Sequence, residues 1–115
     1  MNPSATPDPQ LLALAAERCR NGAPRLPDVE AAALVAALPG WSIVDATLRK
    51  PFSFADFEAT MAFVNAVADV ARAQNHHPDL TVHYARCVVT FSTHDAGGLT
   101  RNDFICAART ERILA

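Results

Sequence analysis

The strongest hydrophobic pattern lies in the middle of the chain, where apolar residues recur every three or four positions. This spacing predicts an amphipathic helix. The helix should end near Asn75, because Pro78 disfavours helical geometry at His77 and Asn tolerates the left-handed conformation of a helix end. Ser53 and Asp56 have the spacing of a capping box, with Asp in place of the usual Glu. The apolar face comprises Phe54, Phe57, Met61, Val64, Ala68 and Ala71.

Extended segments occur in pairs on either side of this helix. Alternating apolar and polar residues predict one strand over residues 80–84, and β-branched residues predict a second over 87–93, with a turn around Ala85-Arg86. An earlier pair covers residues 41–52. Its turn lies near Asp45-Ala46 and lacks a strong glycine signal, so the turn type stays open.

Two further helices complete the predicted fold. One begins at Asp28 and ends at Pro39-Gly40, and the last is opened by Thr100 and Asp103, which have cap spacing. The order α-β-β-α-β-β-α predicts an α+β domain, a four-stranded antiparallel sheet with three helices on one face. The opposite face should be less covered, and a free sheet edge favours self-association.

The start of the chain differs in composition from the rest. Residues 1–10 are rich in proline and contain almost nothing to bury, so they predict a disordered N-terminal tail. A short helical turn is expected over residues 11–18. Residues 11–115 are then expected to form one domain.

Charge and cysteine content exclude several classes of function. Lys plus Arg is 10 and Asp plus Glu is 12, which argues against direct nucleic-acid binding. Charged residues interrupt every apolar stretch, so we expect no membrane span, and no secretory signal is apparent. The three cysteines form no CxxC motif, which favours a reducing, cytoplasmic setting. Cys87 and Cys106 lie in apolar patterns and are expected to be buried thiols.

Three of the four histidines lie in two short segments, Asn75-His76-His77-Pro78 and Thr93-His94-Asp95. Imidazole titrates near neutral pH, so this grouping indicates proton transfer. Adjacent histidines point in divergent directions and no Cys or carboxylate stands at ligand spacing, which argues against a metal site. No nucleophile-elbow motif occurs. Acid–base chemistry remains, beside the alternative that these histidines are hydrogen-bonded turn residues. Asp103 either faces the same pocket or only caps its helix.

These residues resemble the pterin-4a-carbinolamine dehydratases, also called dimerisation cofactors of homeodomain transcription factors. The resemblance rests on the spacing of His76-His77-Pro78, Tyr84, His94 and Asp103. It covers about residues 11–112. Further matching segments are Leu38-Pro39-Gly40-Trp41, Phe52-Ser53-Phe54, Asp56-Phe57, the run from Thr93 to Thr100, and Asn102-Asp103-Phe104-Ile105.

The resemblance implies an activity and a set of site residues. The activity is dehydration of 4a-hydroxytetrahydrobiopterin, or a related 4a-hydroxytetrahydropterin, to the quinonoid dihydropterin, which recycles tetrahydrobiopterin. One proton goes to the leaving hydroxyl and one leaves N5, without a metal or redox cofactor. His76 and His94 are implied as acid and base in unassigned order, and His77 as a contact that holds the pterin. Implied substrate-binding residues are Trp41 (otherwise a core or hairpin anchor), Tyr84 and Asp103. A homodimer or homotetramer is also implied.

Arg72 departs from the family, which usually has a carboxylate at this position. It lies one helical turn before His76, where a guanidinium would lower the pKa of the imidazole unless it points outward. Some relatives are protein-binding factors. One alternative is therefore an inactive or weak dehydratase-like chain with a protein client, an assembly factor for ribulose-bisphosphate carboxylase associated with carboxysomes. Another is a dimeric protein that binds a pterin without converting it.

Overall fold

The computed structural model describes residues 8–114 and confirms the predicted α+β class. The four strands form one antiparallel sheet in the order β1-β2-β4-β3. No helix in this part of the chain combines the length and apolar character needed to cross a bilayer. The elements are α1 (Pro9–Ala16), α2 (Asp28–Val35), β1 (Ser42–Val44), β2 (Thr47–Ser53), α3 (Phe57–Gln74), β3 (Asp79–His83), β4 (Arg86–Phe91) and α4 (Arg101–Ile113), with a 3₁₀ turn at His94–Ala96.

The core lies between one face of the sheet and the helices α3 and α4. Cys87, Val89 and Phe91 alternate along β4, and all three are 0% exposed. Leu48 pairs with Phe91 and Phe52 pairs with Cys87, which extends the same apolar face onto β2. Burial of this face removes apolar area from water and holds the helices to the sheet. The opposite face, expected to be less covered, carries polar and charged residues such as Arg49, Thr81, His83 and Arg86.

Residues 8–114 contain four α-helices where the sequence predicts three, because α1 is a helix rather than a short turn. Asp8 caps it by accepting a hydrogen bond from the Gln10 amide at 2.6 Å, and Pro9 occupies its first turn. Leu11 and Leu14 are buried where α1 packs against α4. A helix this short depends on such packing, which local sequence does not reveal. Of the expected tail, residues 1–7 lie outside the described residues, and α1 begins at Pro9.

The ends of α3 position the chain for the site. The capping box expected at Ser53 is wrong, because Ser53 ends β2 and Asp56 is the N-cap, accepting from the Ala59 amide at 2.8 Å. At the other end Asn75 adopts the predicted left-handed conformation, with φ 51°. This residue turns the chain out of the helix, so that His76 leaves α3 at a fixed angle.

Candidate active site

A cleft of about 900 Å³ opens where three segments distant in sequence meet. One wall is the connection between α1 and α2, residues 19–25, and the second is the end of α3, residues 73–76. The third is the connection from β4 to α4, which contributes Thr93. A cavity of this size is within the usual range of small-molecule sites.

His76 lines the cleft and pairs with the buried Asp103 behind it. Nε2 of His76 lies 2.7 Å from Oδ1 of Asp103. The Asp103 side chain is 0% exposed and that of His76 is 13% exposed. The second carboxylate oxygen, Oδ2, accepts hydrogen bonds from the Thr93 hydroxyl at 2.8 Å and from the Thr100 amide at 2.9 Å. Asp103 therefore caps α4 and also bonds His76, but it does not itself line the cleft.

The carboxylate changes the acid–base properties of the imidazole. Its hydrogen bond raises the pKa of His76 above the usual 6.5, and this effect exceeds the opposing effect of burial. Because Nε2 is directed at Asp103, Nδ1 is the nitrogen left for a ligand. Phe91 stacks on the ring with centroids 6.1 Å apart and planes 13° apart. The pair thus holds an oriented imidazole that is protonated over a wider pH range than a free one.

The other two implied catalytic histidines occupy different surroundings. His77 is exposed and does not line the cleft. His94 is also exposed and lines a neighbouring cavity of about 250 Å³. Thr93 lines both cavities, so it forms the boundary between His76 and His94. His76, His77 and His94 therefore do not line one common cavity, although His76 and His94 lie on either side of Thr93.

Trp41 and Tyr84 do not line the cleft. Trp41 is buried, donates its Nε1–H to Glu111 Oε2 at 2.9 Å and stacks on Phe91 with centroids 6.1 Å apart. Trp41 is therefore a core residue. It contacts Phe91, whose ring in turn stacks on His76. Tyr84 is 68% exposed in the turn between β3 and β4, where it stacks on Phe57 with centroids 6.2 Å apart.

Arg72 points away from the cleft. Its Nη2 donates to Asp69 Oδ1 at 2.6 Å, and both side chains are largely exposed. The cleft wall begins at the next residue, Ala73. The charged partner that dominates the pKa of His76 is instead Asp103 on α4. The departure from the family at this position therefore lies on the surface.

Gln74 and Asn102, which the sequence analysis did not assign to a site, hold the first wall in place, and Cys19 is part of that wall. Gln74 is 8% exposed and accepts a hydrogen bond from the Cys19 amide at 2.8 Å. Asn102 accepts from the Arg20 amide at 3.1 Å and donates to the Arg20 carbonyl at 2.8 Å. Gln74 and Asn102 stand beside Asn75 and Asp103, so proximity to the motif could have indicated them. Cys19 carries no such signal.

Comparison with known proteins shows the family to which the chain is related. The family model for pterin 4 alpha carbinolamine dehydratase matches residues 24–113. A Chromobacterium violaceum protein provisionally named a pterin-4-alpha-carbinolamine dehydratase is 55% identical over 94 residues, covering 82% of this chain and 87% of the relative. A Stenotrophomonas maltophilia protein with the same provisional name is 50% identical over 108 residues, covering 90% of this chain and 93% of the relative.

Solved structures share the fold. A crystal structure from Brucella melitensis, described as a transcriptional coactivator/pterin dehydratase, superposes with a TM-score of 0.76 at 32% identity, covering 79% of this chain and 99% of that one. A pterin dehydratase-like protein, identified as a RuBisCO assembly factor in the alpha-carboxysome, has a TM-score of 0.54 at 22% identity, covering 64% of this chain and 84% of that one. The second likeness shows the fold alone. By the family match and the curated relatives, the chain belongs to the pterin-4a-carbinolamine dehydratase family.

Proposed function

We propose that this chain is a working dehydratase that removes water from a 4a-hydroxytetrahydropterin, with 4a-hydroxytetrahydrobiopterin as the reference substrate. The observation that carries the proposal is that His76 lines a cleft of about 900 Å³ and is paired with Asp103 at 2.7 Å. Family membership supplies the substrate class, and the pair supplies a proton donor suited to it. The product would re-enter tetrahydrobiopterin recycling.

His76 is the proposed general acid. Its raised pKa keeps the imidazolium over a wider pH range than in a free imidazole, and Nδ1 is the nitrogen left to donate to a substrate. The imidazolium gives its proton to the 4a-hydroxyl, the C4a–O bond breaks and water departs. The N5 lone pair then forms the C4a–N5 double bond, and the proton on N5 must pass to a base. Positioned acid–base groups of this kind contribute about 10²–10⁴-fold to a rate.

His94 is the proposed base. It follows Thr93 directly, and Thr93 lines the cleft beside His76. A flat pterin lying across Thr93 would present its two reacting groups to imidazoles on opposite sides. His77 is exposed beside His76, and we assign it to the outer end of the pterin. Trp41 contributes through Phe91, on which it stacks.

Self-association belongs to the same proposal. Tyr84, Phe57 and Val82 are large exposed hydrophobic residues near the edge strand β3. An unpaired strand edge can be covered by a second copy of the chain. Pairing through this edge would give the homodimer or homotetramer that the family likeness implies, and it would explain Tyr84 without placing it in the cleft. The three free thiols support a reducing, cytoplasmic location.

No observation favours the carboxylase-assembly alternative. The sequence feature that suggested this alternative is Arg72, and the Arg72 side chain is paired with Asp69 on the surface. The assembly-factor relative shares the fold at 22% identity, which carries no function to this chain. The dehydratase reaction is therefore the function we propose.

A stopped-flow dehydratase assay tests it directly. Chemically prepared 4a-hydroxytetrahydropterin is mixed with the chain, and formation of the dihydropterin is followed by absorbance. We expect the rate to rise in proportion to enzyme concentration, at least about tenfold above the uncatalysed background. A rate equal to the background at every enzyme concentration would end the enzymatic proposal, and retained pterin binding would then favour a binding protein.

A further inference from the structure

Two cysteines 87 positions apart in the sequence meet at the wall of the cleft. Sγ of Cys19 lies 3.5 Å from Sγ of Cys106. Cys19 belongs to the connection that lines the cleft, while Cys106 is fully buried on α4. Cys106 follows Asp103 by three positions, so the two share a face of the helix. The third thiol, Cys87, is buried in β4, away from this pair.

The two thiols have opposite chemical character. The hydrogen bond with Cys106 is the main cause that lowers the pKa of Cys19, and the nearby charges of His76 and Arg109 act in the same direction. The pKa of Cys106 is raised, by the same contact and by burial. A thiolate with access to solvent is the form that reacts with an oxidant, and the sulfenic acid that results condenses with a second thiol close by. Cys87 has no such arrangement, since burial raises its pKa.

The surrounding contacts hold the two segments together. Gln74 accepts from the Cys19 amide at 2.8 Å, and Asn102 binds both the amide and the carbonyl of Arg20. The thiol of Cys19 also donates to the Asn102 carbonyl at 3.6 Å. A disulfide needs the sulfurs at ~2.05 Å, so closure requires a relative movement of about 1.5 Å. A thiol rotation with a small shift of the exposed connection can supply that distance.

We propose that Cys19 and Cys106 form a reversible intramolecular disulfide when the chain meets a peroxide, with Cys19 as the attacking thiol and Cys106 as the resolving one. The Cys19 thiolate attacks a peroxide oxygen, the S–O bond forms, the O–O bond breaks and hydroxide leaves. Cys106 sulfur then attacks the sulfenic sulfur, the S–S bond forms and the S–O bond breaks. The departing oxygen leaves as water with the Cys106 proton. Two electrons pass from the thiols to the peroxide, and a small thiol reductant reverses the change.

Peptide mass spectrometry on the whole chain tests this pairing. Cleavage after arginine separates the three cysteines into Cys19-Arg20, Cys87–Arg101 and Asn102–Arg109. After brief treatment with hydrogen peroxide, we expect the first and third peptides to be joined, two hydrogens lighter than their sum, and to be released by dithiothreitol. The Cys87 peptide should remain reduced. Oxidation of Cys87 at the same rate, or a Cys19–Cys19 link between two chains instead of the internal one, would overturn the proposal.

Three variants separate the proposed roles. Cys87→Ala should form the link as readily as the wild type. Cys106→Ser should stop at the Cys19 sulfenic acid, which dimedone traps, and Cys19→Ser should leave Cys106 reduced because the buried thiol lacks its attacking partner. In the wild type, iodoacetamide at about pH 7 should alkylate Cys19 at least about tenfold faster than Cys87. Equal alkylation rates, or oxidation of Cys106 in Cys19→Ser, would contradict the assigned order.

Discussion

At the scale of single residues, Asp103 connects the candidate chemistry to the fold. One carboxylate oxygen faces His76, while the other receives hydrogen bonds from Thr93 and from the Thr100 amide. A fully buried carboxylate is stable only when its oxygens have such partners. The contacts at the start of α4 therefore also hold in place the Asp103 carboxylate, which raises the pKa of His76.

The raised pKa of His76 makes the stability of the protein depend on pH. The folded-state pKa exceeds the unfolded value of 6.5, so the pair stabilises the folded state fully below that pH. The stabilisation is lost as the pH rises through the folded pKa. We expect the difference in free energy of unfolding between wild type and His76→Gln to be larger at about pH 5.5 than at about pH 8.5. Urea unfolding at both pH values measures it, and a difference independent of pH would contradict the assignment.

Some of the site could be predicted from single residues. The two histidine segments and Asp103 are visible in the sequence, and His76 and Asp103 do meet. The outward direction of Arg72 has a signal in the sequence, because Asp69 stands three positions before it on the predicted helix, a spacing at which opposite charges pair. Which histidine enters the cleft could not be predicted, because it depends on how Asn75 turns the chain at the end of α3.

At the scale of elements, the turn between β1 and β2 carries backbone strain, and the type of this turn is not evident from the sequence. Asp45 has φ 50° and Ala46 has φ 60°, which makes this a type I′ turn. Positive φ is unfavourable for a residue with a Cβ atom, by about 1–2 kcal/mol. The flanking strands predict the position of the turn. Its type is set by the two-residue connection between the paired residues Val44 and Thr47 and not by a glycine.

Replacing Ala46 with glycine should relieve this strain. Ala46 is exposed, so its methyl group contributes little packing, and we expect Ala46→Gly to raise the free energy of unfolding by about 0.5–1 kcal/mol. Ala62→Gly is the matched control, at an exposed position inside α3, and should lower stability by about 1 kcal/mol. Urea denaturation measures both variants. If both substitutions destabilise the protein equally, the positive φ of Ala46 carries no strain.

At the scale of the whole molecule, α1 supports the wall of the cleft through its packing on α4. Glu17, which ends α1, forms an ion pair with Arg101, and its carbonyl accepts from Arg109 at 2.6 Å. Leu14 is 1% exposed in the same interface. These contacts hold the end of α1 against α4. They thereby position the start of the connection, residues 19–25, that lines the cleft.

Truncating Leu14 should weaken the entire domain. Leu14→Ala removes a buried side chain and leaves a cavity, so we expect a loss of about 2–5 kcal/mol in the free energy of unfolding. Val29→Ala is the control, because Val29 is 82% exposed on α2 and its truncation should change stability by less than about 0.5 kcal/mol. Thermal or urea unfolding compares them. A Leu14→Ala variant as stable as Val29→Ala would mean that α1 does not belong to the cooperative unit.

The cleft as a whole could not be predicted from the sequence. The order of the elements and the pairing of the strands could be predicted from the periodicity of apolar residues. Buried residues such as Phe91 alternate along their strand and must face the helices. The cleft combines Cys19, His76 and Thr93 from three distant segments, and nothing local links the first of these to the others. The connection that lines it follows α1, an eight-residue helix that its Asp8 cap alone would not hold and that contacts with α4 stabilise.

The central claim is that His76, held by Asp103, moves the proton in dehydration, and turnover of paired variants tests it most directly. In the stopped-flow assay, His76→Ala should lower kcat at least about tenfold, because the only imidazole lining the cleft among residues 8–114 is lost. Arg72→Ala, one helical turn away and paired outward with Asp69, should keep wild-type turnover. Wild-type turnover in a folded His76→Ala protein would contradict the account.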